Sequence, residues 1–190
     1  QQEMNQLGLY DVAVIGGGPA GATAADDLAQ KGYSVLLLDR AGRIKPCGGA
    51  IPPRAMKDFH IPDSMLVAHA TKARMISPTN HKVDIPIDNG FVGLVDRCEF
   101  DEWLRQRAES HGAERRIGTF DRLDHLPDGS VILHFHGRHQ AGDTKTFAAQ
   151  VRARLVIGAD GAKSEVARQN VKDSEKTKYV FAYHEIVKTP

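Results

Sequence analysis

Two unbroken apolar runs mark the start of the chain, Val12–Ile15 and Val35–Leu38. Each is too short for a helix and suits a strand buried on both faces of a parallel sheet. Between them the spacing predicts a helix from about Pro19 to Lys31, with Gly32 placed to end it. Ala41–Pro53 is a Gly/Pro-rich loop that cannot hold helix or strand for long. Residues 54–60 predict a short helical turn, and Ile61–Ser64 opens another segment.

From about Ala70 the pattern changes to short strands. Ala73–Ile76 and the alternating stretch Lys82–Ile87 are separated by the turn Ser77–Asn80. Phe91–Val95 follows the turn Asp88–Gly90. Asp96 is placed to cap a helix from Arg97 to about His111, with Glu99 three residues on as in a capping box. Phe100, Trp103, Leu104 and Ala108 share one face of that helix, a core face, and Gly112 closes it. Residues 113–120 predict a strand. Ser130–Phe135 and Thr144–Val151 predict a hairpin joined by the polar loop Gly137–Asp143. Arg154–Ile157 reads as a buried strand, 162–169 as a short helix and Tyr179–Val187 as a strand. Residues 1–9 read as a frayed leader.

The first apolar run leads into Gly16-Gly17-Gly18-Pro19-Ala20-Gly21, and the second ends at Asp39. Strand, Gly-x-Gly-x-x-Gly turn, helix, strand and acidic residue stand at the spacing of a dinucleotide-binding unit. Gly16 allows the tight turn, Gly18 lets a pyrophosphate approach the backbone, and Gly21 lets helix and sheet pack closely. The helix N-terminus offers unpaired N–H groups to the phosphates, and Asp39 offers a carboxylate to a ribose diol. The competing reading is an ordinary βα turn without nucleotide. The strand ending at Ile157 enters a second turn, Gly158-Ala159-Asp160-Gly161. Two such turns fit FAD better than a plain nicotinamide dehydrogenase domain. Asp160 supplies the second turn with a carboxylate for the cofactor; the competing reading is a turn-forming residue with no ligand.

Bulk properties narrow the function. A hydrophobic fraction of 41% and a charged fraction of 26% are those of an ordinary globular chain of one or two small domains. A net charge of +1 gives no nucleic-acid footprint. Two distant cysteines, Cys47 and Cys98, form no disulfide framework and fit a reducing compartment. No apolar run has the length of a membrane span, and the first residues lack a signal-peptide pattern. A cytoplasmic location is expected, with peripheral membrane association left open.

Other chemistry is thinly supported. Arg97 starts a helix after a strand and can reach a cofactor with its forked donors, or lie on the surface. Cys47 can donate a proton or fill a tight loop; Cys98 reads as structural. His134, His136 and His139 lack the cysteine or carboxylate neighbours of a metal site and read as exposed strand residues.

Tyr10–Ala25, Leu38–Arg54, Ala73–Arg105 and Leu155–Arg168 together resemble the geranylgeranyl reductase family of FAD enzymes, its chlorophyll and bacteriochlorophyll branch in particular. The block Lys45–Ala50 with Val83–Pro86 is more specific than the glycine turns, and the likeness covers residues 9–190. It implies an α/β, FAD/NAD(P)-binding Rossmann-like fold of the glutathione-reductase type, hydroxylase subgroup, with an antiparallel β insertion. The expected layout is a dinucleotide-binding βαβ unit and active-site loop (10–69), the insertion (70–95), and a helix, hairpin and return to the Rossmann sheet (96–170). Residues 178–190 would start a substrate-binding sheet.

The resemblance also implies FAD, NADPH as electron donor, and a geranylgeranyl diphosphate or geranylgeranyl-bacteriochlorophyll substrate. Three of its four double bonds would be reduced to give a phytyl chain. The implied cofactor-binding set is Gly16, Gly18, Pro19, Ala20, Gly21, Asp39, Arg40, Cys47, Gly48, Gly49, Arg97, Asp160 and Gly161. Cys47 is the candidate catalytic residue, near flavin and substrate. The waxy substrate implies peripheral association with a photosynthetic membrane or a pigment synthase. Family members run to roughly twice this length, so the chain is expected to be an N-terminal half. Asp39 stands where FAD-binding units commonly carry glutamate. Another FAD hydroxylase or halogenase, and a non-catalytic FAD-binding module, remain as alternatives.

Overall fold

The computed structural model describes residues 7–42, 45, 47–88, 90–185 and 187–188. The chain divides into two compact units, residues 1–43 with 101–181 and residues 44–100 with 182–190.

The first unit is built on five strands. β1 (Leu9–Ile15) pairs in parallel with β2 (Val35–Asp39), and α1 (Pro19–Gln30) connects them. The remaining three are β8 (Glu114–His125), β9 (Val131–Arg138) and β10 (Phe147–Gly158). β8 begins parallel to β2 and continues antiparallel to β9. β10 begins antiparallel to β9 and finishes parallel to β1. Hydrogen bonding therefore runs round a closed ring, β1-β10-β9-β8-β2.

Period-two alternation fills that ring. Ala13, Ile15, Leu36, Leu38, Leu133, Phe135, Val151 and Ala153 form one buried cluster, which Val166 joins. The opposite-facing residues Val14, Val35 and Leu37 are also buried, and so are Ala22, Ala25 and Ala29 of α1, the helix packed on β1 and β2. Burial on both faces is why these two strands are continuously apolar. α3 (Arg97–Ser110) starts in the second unit and gives the first its residues from Asp101 onward. The short α4 (Glu165–Asn170) follows β10.

The second unit carries a three-stranded sheet, β3 (Ala50–Ile51), β7 (Val92–Val95) and β4 (Leu66–Ala70), with α2 (Pro53–Asp58). A separate hairpin pairs β5 (Lys72–Ile76) with β6 (Lys82–Pro86). Every residue of that hairpin's strands is exposed. Asp84 on one face is clasped by Lys72 at 2.8 Å and Arg74 at 2.6 Å. A groove of about 300 Å³ lies among Pro53, Met56, Ile61 and Phe91.

The structure departs from the sequence reading in four places. The antiparallel region begins at Leu66, before Ala70, and takes in β3 as well. The predicted strands 144–151 and 154–157 are one strand, β10. Its second half is only partly covered: Leu155 is 57% exposed, while Val156 packs against the buried cluster. Tyr179–Glu185 forms no strand; no ladder partner lies beside it among the described residues, and Val180, Phe181 and Tyr183 are exposed. The last two residues of the predicted strand's neighbourhood, Thr189 and Pro190, and Ile186 within it, fall outside the described residues. No helix among the described residues is long and apolar enough to cross a membrane.

Candidate functional site

The glycine turn leaves β1 at Ile15. Gly16 has φ +109° and donates its N–H to Leu38 O at 2.8 Å, tying the turn to β2. The second turn is bound to the first: Ala159 donates its N–H to Ile15 O at 2.7 Å. A β-carbon on Gly16 would lie 2.3 Å from Ala159 O, and one on Gly21 would lie 1.8 Å from Gly16 O. Both positions therefore need glycine for close backbone approach. Gly18 is different, since a β-carbon there would meet nothing within 4 Å. It caps α1 in extended conformation, with Pro19 at the first helical position. Ala20 and Gly21, in the first turn, have N–H groups with no intrahelical acceptor, and the open space at Gly18 lies beside them. Crowded glycines behind and an open glycine in front make a cradle that fits a dinucleotide pyrophosphate.

Asp39 ends β2 at the rim of this cradle. Its carboxylate packs over Gly17, where a β-carbon would fall 2.7 Å from Asp39 Cγ. Oδ2 accepts the Ala41 N–H at 3.1 Å. Arg40 is exposed, and its carbonyl accepts from Arg138 at 3.4 Å.

Asp160 has a structural task. Its Oδ2 accepts the N–H groups of Glu165 at 2.7 Å and Val166 at 3.2 Å, and Oδ1 accepts from the Ser164 hydroxyl. Ser164 caps α4 by accepting from the Ala167 N–H at 2.9 Å. Both carboxylate oxygens thus serve the first turn of α4. Gly161 follows at φ +92°.

In the second unit, Cys47 and Gly48 are exposed. Cys47 Sγ accepts the Gly49 N–H at 3.4 Å. Gly49 is buried at φ +67°, and a β-carbon on it would lie 2.2 Å from Val95 O. Gly49 O accepts the Val95 N–H at 3.0 Å, so this glycine clips the loop to β7. Pro46, the loop residue before Cys47, falls outside the described residues. Arg97 is half-buried at the first position of α3. Asp96 caps that helix, accepting the Cys98 N–H at 2.8 Å.

The fold thus brings Gly16, Gly18, Pro19, Ala20, Gly21, Asp39, Asp160 and Gly161 to one end of the parallel strands in the first unit. Cys47, Gly48, Gly49 and Arg97 belong to the second. His134 is not an exposed strand residue: it is half-buried, with Nε2 and Asp124 Oδ2 2.7 Å apart, whereas His136 is exposed. Among the described residues no group of three His, Cys, Asp or Glu side chains is placed to hold a metal.

The motifs gave no sign of Arg105. Its Nη1 donates to Gly17 O at 2.8 Å, and its Nε lies 3.0 Å from Glu102 and 3.7 Å from Asp39. Arg115 grips Glu102 with two bonds of 2.7 and 2.8 Å. Those bonds, foremost, hold the Glu102 carboxyl down at about 2, so it stays ionised. The available signal was positional: Arg105 stands next to Leu104 and one turn before Ala108, two residues of the apolar face of α3.

Residues 9–189 match the family model described as the FAD binding domain. Geranylgeranyl diphosphate reductase of Rhodobacter capsulatus is 55% identical over 181 residues, covering 95% of this chain and 44% of that protein. The chloroplastic geranylgeranyl diphosphate reductase of Arabidopsis thaliana is 40% identical over 188 residues, covering 94% and 39%. The digeranylgeranylglycerophospholipid reductase 1 of Methanopyrus kandleri is 35% identical over 164 residues, covering 84% and 41%. The chain spans less than half the length of these curated relatives. Among solved structures, a geranylgeranyl bacteriochlorophyll reductase-like protein from Thermoplasma acidophilum superposes with a TM-score of 0.75 at 24% identity, covering 87% of this chain and 43% of that one. A myxobacterial chondrochloren halogenase gives 0.71 at 21%, covering 84% and 39%. Identities this low speak for the fold alone, an FAD-binding Rossmann-like one with antiparallel strands. A family match over nearly the whole chain, on a fold whose glycine turns form a dinucleotide cradle, means that this chain belongs to the FAD-binding domain family.

Proposed function

We propose that the chain is the FAD-holding part of a geranylgeranyl reductase, which saturates isolated prenyl double bonds with NADPH as electron donor. The observation that carries this reading is the 55% identity to a geranylgeranyl diphosphate reductase across 95% of the chain. The cradle at Gly16, Gly18 and Gly21 supports it from the side of the cofactor. In this reading the N-terminus of α1 binds the pyrophosphate and Asp39 the adenosine ribose. Arg97 supplies a cation for the cofactor, and the Cys47 thiol holds a proton for the alkene carbon or lines the prenyl chain. An unactivated alkene offers no carbonyl for a protein group to polarise, so FAD supplies the hydride-transfer chemistry when bound. The protein's share is binding, orientation and exclusion of water.

The finer reading is reduction of three of the four geranylgeranyl double bonds, giving phytyl, in chlorophyll or bacteriochlorophyll synthesis. The substrate is the free diphosphate or the pigment ester. The enzyme works in the cytoplasm, peripherally at a photosynthetic membrane and beside a pigment synthase. The complete enzyme, given NADPH and geranylgeranyl diphosphate, is expected to yield products heavier by two hydrogens per bond reduced, read by mass spectrometry. NADPH oxidation that consumes oxygen with no such mass gain contradicts the reading.

A further inference from the structure

We infer that Arg105 is a positioning residue for adenosine recognition. It acts through Asp39 and the glycine turn, and the inference rests on the FAD reading above. One guanidinium joins three groups that the sequence places far apart. Nη1 donates to Gly17 O at 2.8 Å, fixing the peptide in the middle of the glycine turn. Nε faces Asp39 Oδ2 at 3.7 Å and Glu102 Oε2 at 3.0 Å. The side chains of Arg105 and Asp39 are only 15% and 13% exposed, so water and salt screen this pair weakly.

The arrangement is selective between the two oxygens of Asp39. Arg105 and the Ala41 N–H both lie on Oδ2, and among the described residues Oδ1 accepts from no protein group. Oδ1 is the oxygen left for a ribose hydroxyl. Turning the carboxylate out of its plane loosens the Ala41 bond and the Arg105 pair together, so the two contacts fix its orientation. Arg105 is in turn held by Glu102, which Arg115 fixes with a bidentate grip. The planar fork matters here, because a lysine ammonium reaches one of these acceptors well and cannot span all three.

The test compares FAD with an FAD analogue lacking the adenosine 2′-hydroxyl. Affinity for apoprotein of the full-length enzyme is measured by quenching of flavin fluorescence. The wild-type protein is expected to prefer FAD by about tenfold, the worth of a charge-assisted hydrogen bond. In Arg105→Met that preference falls to about twofold or less, and Arg105→Lys gives an intermediate ratio. A merely structural role weakens both ligands equally and leaves the ratio unchanged. An unchanged ratio in the variants overturns the inference, and so does a wild-type protein that binds both flavins equally. If Arg105→Met does not fold, the Arg105→Lys ratio decides alone. A wild-type protein that binds neither flavin contradicts the cofactor reading itself, which keeps the two failures apart.

Discussion

A side chain on Gly16 would collide with the carbonyl of Ala159, which a β-carbon would approach to 2.3 Å. The two glycine turns, far apart in sequence, are thus a single packed object. Gly16→Ala also forces φ +109° on an L side chain. We expect a loss of about 2–4 kcal/mol from strain and overpacking together. Urea unfolding measures the loss, and the flavin retained through gel filtration should fall with it.

Asp160 and Ser164 cap α4 jointly. Ser164→Ala should cost about 1 kcal/mol, the usual worth of a cap. Asp160→Ala should cost about 2 kcal/mol, because it strips two backbone N–H groups of their acceptor. Thermal melts of the two variants should rank in that order.

The Glu102 carboxyl sits at about 2 against an ordinary 4.5, chiefly through its bonds from Arg115. The charged form is favoured in the folded state. Its stabilisation is therefore present above pH 4.5 and is lost as pH falls towards 2. Partial exposure reduces the effect to about 1 kcal/mol. Urea midpoints measured down that range should flatten in Glu102→Gln.

Tyr10 shows the opposite sign. Burial first, then its 2.5 Å bond to Glu114, pushes the phenol up to about 12. The neutral phenol is favoured in the folded state, so its contribution is intact below pH 10 and is lost as pH rises towards 12. Absorbance titration at the tyrosinate band should show one late-ionising tyrosine, which Tyr10→Phe removes.

Phe135 lies inside the strand ring at 1% exposure. Phe135→Ala should cost about 3–5 kcal/mol through the cavity it leaves. Urea unfolding is again the measurement.

What could be read from the sequence was local. The run Val12–Ile15, the glycines after it and Asp39 after the second run each carry their signal within a few residues. The helix over 97–110 was legible from its apolar spacing and its Asp96 cap. Features that depend on distant neighbours were not. β10 looked like two strands because its partner changes from β9 to β1 midway, and its residues change character there. Tyr179–Glu185 has strand composition, but a strand needs a neighbour to pair with, and composition does not supply one. Asp160 was read as a cofactor carboxylate with a turn residue as the alternative, and its bonds to the α4 turn depend on where that helix begins. Arg105 joins a backbone carbonyl 88 residues away, a contact no motif encodes.

In the function proposed here, the two joined turns hold FAD. The most direct measurement is the visible spectrum of the purified protein, followed by chromatography of any cofactor it releases. An oxidised-flavin spectrum and released FAD are expected. A full-length protein that is colourless and takes up no added FAD would contradict that function.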